Sequence, residues 1–292
     1  MYDQADALRK KMNNVSDGDT SKQAEVIAVV SGKGGVGKSN FTLNFAISLQ
    51  KMNKKVLVID LDIGMANIDI LLGQSSRYSI VDMMNQDMPI WSIMEEGPEG
   101  LRYIAGGSGL TDLFEMDETK ADHFYRQMAS AEASFDYIFL DMGAGVNTNS
   151  AYFLFSSHHI FLVTTPEPTS VTDAYAMIKY IHNYDTDLPI SLIINRARSK
   201  KDGERTSENV KQVTKRFLGK TIHLLTILPD DNIVWKAVRA QEPFVLYNPE
   251  SKPSKAILNT VESFLIKNGE VVEGALQKPS FISKLKGFLR SR

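Results

Sequence analysis

A glycine-rich octapeptide constrains the fold more than any other stretch of the chain. Residues 32–39 read Gly-Lys-Gly-Gly-Val-Gly-Lys-Ser and fit the phosphate-loop pattern G-x-x-x-x-G-K-[ST] at every fixed position. An apolar run at 25–31 predicts a buried strand before this loop, and helical spacing predicts a helix at 38–52 after it. A phosphate bound between the two would lie at a helix N-terminus, where the helix dipole favours an anion.

The loop predicts a nucleotide site in which each residue type has a chemical role. Glycines let successive backbone N–H groups approach phosphate oxygens without a Cβ in the way. Lys38 supplies a positive charge near the β- and γ-phosphates, and Ser39 offers a hydroxyl group to Mg²⁺. The predicted phosphate-binding residues are Gly32, Lys33, Gly34, Gly35, Val36, Gly37, Lys38, Ser39 and Asn40.

Three aspartates are predicted at the carboxyl ends of strands, where open α/β sheets bind ligands. Asp60 ends an apolar run at 55–60, Asp62 follows it, and Asp141 ends a second run at 135–141. We expect Ser39, Asp60 and Asp141 to hold Mg²⁺, Asp60 through water, while Asp62 orients the attacking water. The alternative is that the first two aspartates only form turns.

Residues after later strands favour adenine as the base. Asn195 ends the run 188–195, and its amide group can pair with the amine and a ring nitrogen of adenine. A guanine pocket of the N-K-x-D type would need an aspartate at position 198, where the chain has Arg198. Pro229 and Asp230 follow the last predicted strand and complete the predicted base-binding edge. The predicted cofactors are therefore ATP and Mg²⁺.

Alternating strand and helix patterns predict a single α/β domain at 25–267, with a mostly parallel central sheet flanked by helices. His158 and His159 lie in one of the predicted strands. They should point to opposite faces of the sheet, so we expect structural roles rather than shared metal ligation.

The amino-acid composition excludes several kinds of site and partner. The chain of 292 residues has no cysteine, which excludes disulfides, zinc–thiolate sites and iron–sulfur clusters within it. The formal net charge of −2 argues against nucleic acid as a partner. No apolar run approaches the ~18 residues of a spanning helix, so we expect a cytoplasmic protein.

Each end of the chain predicts a segment tethered outside the domain. Residues 1–13 read as a short polar helix and 14–24 as a linker, which fits either a frayed terminus or a peptide that folds on a partner. Residues 268–278 read as a second linker before a basic amphipathic helix at 279–292. This helix could contact an anionic membrane or dock on the protein's own core, and its uniformly positive polar face favours the membrane. The predicted membrane residues are Phe281, Ile282, Lys284, Leu285, Phe288, Leu289 and Arg290.

A second lysine in the loop gives the motif K-G-G-x-G-K-[ST], which resembles the MinD/ParA group of P-loop ATPases. Asp60, Asp62 and Gly64 resemble the D-x-D-x-G motif of the same group. The resemblance implies an ATP-bound homodimer in which Lys33 reaches the nucleotide of the other subunit and acts in catalysis with Lys38 and Asp62. It also implies reversible peripheral binding to the inner face of the cell membrane through the tail. The chain departs at Gly143, where relatives commonly have proline.

The N-terminal segment resembles the D-Q-A-x-x-L-R motif of the flagellar-number ATPases FlhG, also called YlxH or FleN. The matching residues are Asp3, Gln4, Ala5, Leu8 and Arg9. The resemblance implies that Gln4 reaches the catalytic site of a signal-recognition-type GTPase, FlhF, and that flagellar switch-complex proteins are further partners. The resulting hypothesis is a membrane-associating ATPase switch that regulates flagellar number or placement. A cell-division MinD and a ParA-type DNA-segregation ATPase stay open as alternatives.

Overall fold

The computed structural model describes residues 23–62, 67–106, 118–145, 148–271 and 279–290. Strands and helices alternate along most of this length. The strands are β1 Glu25–Ser31, β2 Val56–Leu61, β3 Glu95–Glu96, β4 Arg102–Ile104, β5 Tyr137–Ala144, β6 His159–Thr164, β7 Ile190–Ala197 and β8 His223–Pro229. The helices are α1 Lys38–Lys51, α2 Asn67–Leu72, α3 Ile80–Asn85, α4 Glu118–Glu132, α5 Thr148–Ser156, α6 Pro168–Tyr184, α7 Lys200–Leu218, α8 Asn232–Ala240, α9 Phe244–Tyr247, α10 Lys252–Val271 and α11 Phe281–Arg290.

The strands form one sheet in the order β3-β4-β2-β5-β1-β6-β7-β8. All neighbouring pairs are parallel except β3 and β4. The predicted fold class, an α/β protein with a mostly parallel sheet between helices, is confirmed. Because β1 lies in the middle, between β5 and β6, its carboxyl end faces the crevice where open α/β sheets bind ligands.

Side chains alternate along the buried strands and divide the core between the two faces of the sheet. In β1, Val26, Ala28 and Val30 face one side, while Ile27 and Val29 face the other. The first side is covered by α3 to α7 and α11, and the second by α1, α2 and α8 to α10. The phosphate loop thus emerges from a strand that is buried on both faces.

An aromatic cluster anchors α1, the helix that follows the loop. The ring of Phe45 meets those of Phe139, Phe161 and Phe264 edge-on, with centroids 5.6–5.8 Å apart. Such edge-to-face contacts contribute about 0.5–1.5 kcal/mol each beyond the area they bury. They fix α1 against β5, β6 and α10, and so fix the loop at its start.

The structure differs from the sequence prediction at several boundaries. Helix α10 continues to Val271, so the predicted linker at 268–278 begins within a helix. The edge strand β3 and the helices α7 and α8 had no counterpart in the prediction. The N-terminal segment, with Asp3, Gln4, Ala5, Leu8 and Arg9, lies outside the described residues, as do residues 272–278.

Candidate nucleotide site

The phosphate loop joins β1 to α1 and has the backbone that its glycines permit. Gly35 and Gly37 have φ values of 77° and 90°, which residues with a Cβ atom rarely adopt. Gly37 is the N-cap residue of α1, and its carbonyl accepts the first helical hydrogen bond, from Phe41 N–H at 2.9 Å. A Cβ at Gly32 would collide with the backbone of Asp173 in α6. The loop therefore packs closely against α6 at its first residue, Gly32, and leads into the N-terminus of α1 at Gly37.

Lys38 and Asp141 form a buried ion pair at the centre of the site. The Nζ–Oδ1 distance is 2.7 Å, and the two side chains are 7% and 0% exposed. Thr42 Oγ1 lies 3.4 Å from the same carboxylate oxygen, and Ser39 Oγ lies 3.4 Å from Lys38 Nζ. The other oxygen of Asp141, Oδ2, has no hydrogen-bond partner among the described residues. Asp141 thus binds the loop lysine with one oxygen, and its other oxygen is buried without a hydrogen-bond partner in the described part of the chain.

Asp60 lies next to Asp141, because β2 and β5 pair in register at these two residues. Its carboxylate accepts backbone N–H groups of Asp62, Asn67 and Ile68 at 2.9–3.3 Å. Burial, and then the nearby charge of Asp141, raise the pKa of Asp60 to about 7, while the backbone donors lower it. A cation would relieve this repulsion between two buried carboxylates.

These oxygen groups fit Mg²⁺, which takes carboxylate, hydroxyl and phosphate oxygens. The predicted ligands Ser39, Asp60 and Asp141 come from neighbouring elements at one edge of the sheet. Within the described ranges, no group of three or more histidine, aspartate or glutamate side chains could hold a metal by itself. The set is therefore suited to a metal that arrives with nucleotide phosphates.

Asp62 stands beyond the end of β2, half-buried beside the ion pair. Its Oδ2 accepts a hydrogen bond from Asn67 Nδ2 at 3.0 Å. Burial raises the pKa of Asp62, with Lys38 acting in the opposite direction. A Cβ on Gly143 would lie 3.0 Å from Asp62 Oδ1. The absence of a side chain at Gly143 thus leaves room for the carboxylate.

Lys33 points to a different place from Lys38. Its Nζ lies 3.1 Å from Thr169 Oγ1 and 3.3 Å from Glu167 Oε2, at the start of α6 in the same subunit. The ion pair is exposed, at 42% and 62% for the two side chains. Lys33 therefore lies at the surface of the loop, apart from the buried Lys38.

A cavity of about 1100 Å³ lies beside the loop, and its lining includes Asn195, Pro229 and Asp230, the residues expected to bind the base. Asn195 Nδ2 donates to the Val36 carbonyl at 2.8 Å, so this amide also supports the phosphate loop. Trp235, which lines the same cavity from α8, is not among the residues that the sequence motifs predict. Asp231 caps that helix through Ile233 N–H, and an aspartate before an apolar pattern is the signal that could have located it.

The C-terminal helix is docked on the protein's own core. Phe281, Ile282 and Leu285 are 0%, 7% and 1% exposed, and the helix packs against α4 and α5. Phe281 stacks on Phe153 of α5 with ring centroids 6.5 Å apart. This is the second of the two placements that the sequence allowed. The face expected to meet lipid is covered here, because α4 and α5 offer an apolar groove that matches it.

The remaining predicted tail residues are placed as follows. Lys284 donates from Nζ to the Ser157 carbonyl at 3.3 Å. Phe288, Leu289 and Arg290 lie on the last turn of α11, but their side chains are outside the described part of the structure. None of the helices in the described ranges is long and apolar enough to cross a membrane.

Comparison with known proteins assigns the site to a family. Residues 27–244 match the CobQ/CobB/MinD/ParA nucleotide binding domain. The chain belongs to this family of P-loop ATPases. It is 33% identical over 290 residues to the flagellum site-determining protein YlxH of Helicobacter pylori, covering 97% of each chain. It is 30% identical over 243 residues to the antiactivator FleN of Pseudomonas aeruginosa, covering 82% of this chain and 87% of that protein.

Within the family, the similarity to FleN and YlxH confirms the predicted FlhG resemblance. The fold also matches a solved structure, the septum site-determining protein MinD complexed with Mg-ADP from Pyrococcus horikoshii. The TM-score is 0.68 at 25% identity, covering 87% of this chain and 100% of that chain. The chain is thus a MinD/ParA-type ATPase similar to proteins that place flagella or division sites.

Proposed function

We propose that this ATPase is a nucleotide-driven switch that regulates flagellar number or placement. It pairs as a homodimer with ATP, binds the cytoplasmic face of the membrane through its tail, and is reset by hydrolysis. The observation that carries the proposal is the convergence of Lys38, Asp60 and Asp141, the last two in register on neighbouring strands.

The site's own residues supply positioning and charge. Lys38 leaves Asp141 to meet the β- and γ-phosphates, and the N–H groups at the start of α1 meet phosphate oxygens. Mg²⁺, when bound with the nucleotide, would neutralise phosphate charge, with Ser39, Asp60 and Asp141 as its protein partners. Asp62, held by Asn67, orients a water molecule for attack on the γ-phosphate.

Lys33 supports the dimer part of the proposal. Its partners Glu167 and Thr169 are exposed, and exposed ion pairs contribute about 0–1 kcal/mol. Little free energy is therefore lost when Lys33 leaves them. Its exposed position leaves it able to reach the nucleotide of a second subunit in the proposed dimer.

The tail's position supports the proposed link between membrane binding and the nucleotide. Helix α5 begins at Thr148, a few residues after β5 carries Asp141 and Gly143. The docked tail packs mainly on this helix. A rearrangement after β5 on ATP binding would disturb the groove under α11 and release the tail to lipid. Two tails in one dimer would bind much more tightly than one, since the second insertion is intramolecular.

Co-sedimentation with vesicles of phosphatidylglycerol and phosphatidylcholine tests the switch. We expect the full chain to bind with ATP and to stay in solution with ADP, and we expect hydrolysis to release it. Truncation after residue 278 is the control. Equal binding with and without the tail would refute its role as the anchor.

The flagellar pathway rests on the similarity to FleN and YlxH and on Gln4 and its neighbours. We propose that residues 1–13 stimulate an FlhF-type GTPase and that flagellar switch-complex proteins bind elsewhere. A synthetic peptide of residues 1–14 should raise the hydrolysis rate of that GTPase, while a Gln4→Ala peptide should not. No stimulation by the wild-type peptide would contradict the assignment and favour division-site placement.

A further inference from the structure

A buried carboxylate lies at the start of the docked tail. Glu132, the last residue of α4, is 3% exposed, and its Oε1 accepts the backbone N–H of Phe281 at 3.0 Å. The backbone of Ile282 and the side chain of Ser280 act with this bond to lower the pKa of the carboxylate, against the larger effect of burial. The first N–H groups of a helix have no partner within the helix, and a negative charge there is favourable. Glu132 therefore caps α11 from a different part of the chain.

Two further polar contacts hold the same end of the tail. His158 accepts the Val26 N–H at Nδ1, so the proton of the neutral ring is on Nε2. That nitrogen faces the Pro279 carbonyl at 3.2 Å. On the next turn, Lys284 Nζ donates to the Ser157 carbonyl. The groove thus contacts both the backbone and the apolar side chains at the start of α11.

These polar contacts separate the docked tail from the membrane-bound tail. Phe281, Ile282 and Leu285 leave water whether they enter the groove or the lipid interface, so their burial favours both states. The bond from the Phe281 N–H to Glu132 exists only in the docked state. Burial is the larger effect and raises the pKa of Glu132, while its donors from the tail act in the opposite direction and offset part of the cost of burying the charge.

We propose that Glu132 is a positioning residue that latches the tail on the core and thereby sets how much of the protein binds membrane at a given nucleotide state. The inference rests on the proposed role of the tail as a membrane anchor. Glu132→Gln keeps the shape of the side chain but removes the charge. Because hydrogen bonds to charged groups are the stronger class, we expect the docking equilibrium to shift by about 10- to 100-fold toward release.

The first measurement is hydrogen exchange of the full chain with ADP and without lipid. Amides of residues 281–285 should exchange about 10- to 100-fold faster in Glu132→Gln than in the wild type. Amides of β1 and β5 should keep their rates, which excludes general unfolding. Glu262→Gln, an exposed carboxylate on α10, is the matched control and should change neither set. Unchanged exchange at 281–285 in Glu132→Gln would overturn the latch.

The second measurement is co-sedimentation of the same variants with the phosphatidylglycerol vesicles. Glu132→Gln should bind with ADP, where the wild type stays in solution. If the tail exchanges faster but no variant binds vesicles with any nucleotide, the latch stands and the membrane function is refuted. If the tail exchanges faster and the wild type binds with ATP, but Glu132→Gln gains no binding with ADP, the proposed control of membrane binding is overturned.

Discussion

The buried pair of Lys38 and Asp141 predicts a large and specific stability effect in the nucleotide-free protein. Both side chains are at most 7% exposed, so removing one partner leaves the other charge buried without compensation. The cost of breaking such a pair from one side is about 3–5 kcal/mol. We expect Lys38→Met and Asp141→Asn each to lower the free energy of unfolding by roughly this amount.

The double variant separates the interaction energy of the pair from the effects of the two single substitutions. Lys38→Met combined with Asp141→Asn leaves no buried charge from this pair, so it should be more stable than the sum of the single effects predicts. Urea unfolding followed by circular dichroism measures all four proteins without nucleotide, and the slope of free energy against urea should stay constant. Single variants within about 0.5 kcal/mol of the wild type, a change typical of neutral surface sites, would refute the reasoning. So would strictly additive effects.

Three further predictions concern the same site. Asp62→Ala should keep ATP binding but lower single-turnover hydrolysis by about 100-fold or more, because it removes the group that orients water; an unchanged rate would contradict this role. Since burial raises the pKa of Asp60 to about 7, the free energy of unfolding should fall as the pH rises through that value, by about 2 kcal/mol between about pH 5.5 and about pH 8. Urea unfolding of Asp60→Asn at the same pH values should not show this fall. Lys33→Ala should abolish ATP-dependent dimerisation in light scattering, whereas Lys200→Ala, an exposed lysine on α7, should dimerise normally.

The centre of the fold could be predicted from the sequence because its signals are local. β1, β2 and β5 each contain a continuous apolar run, and in β2 and β5 that run leads directly into an aspartate of the site. Helix α7 gave no such signal, since its buried face consists mostly of small or polar residues. They are Gly203, Thr206, Ser207, Val210 and Thr214. Strand β3 is two exposed or half-exposed glutamates, whose pairing depends on β4 rather than on their own pattern.

The site could be predicted as a set of residues but not as a set of contacts. The motifs identified Lys38, Asp60, Asp62 and Asp141, while the ion pair of Lys38 with Asp141 depends on residues 103 positions apart. The tail shows the same limit. Its amphipathic stripe fits lipid and groove equally, and the choice depends on Glu132, about 150 residues away, which accepts the Phe281 N–H. No spacing rule relates these positions before the fold brings them together.

One strand and the helix after it join the candidate nucleotide site to the tail. β5 carries Asp141 in the site, and α5 follows it and packs against α11. If ATP favours the released tail, then release must favour ATP by the same factor, because the coupling free energy between two binding events is reciprocal. Glu132 acts on this balance from the side remote from the nucleotide, by stabilising the docked state alone. A change at Glu132 would thus alter the apparent ATP affinity without altering any residue that contacts ATP.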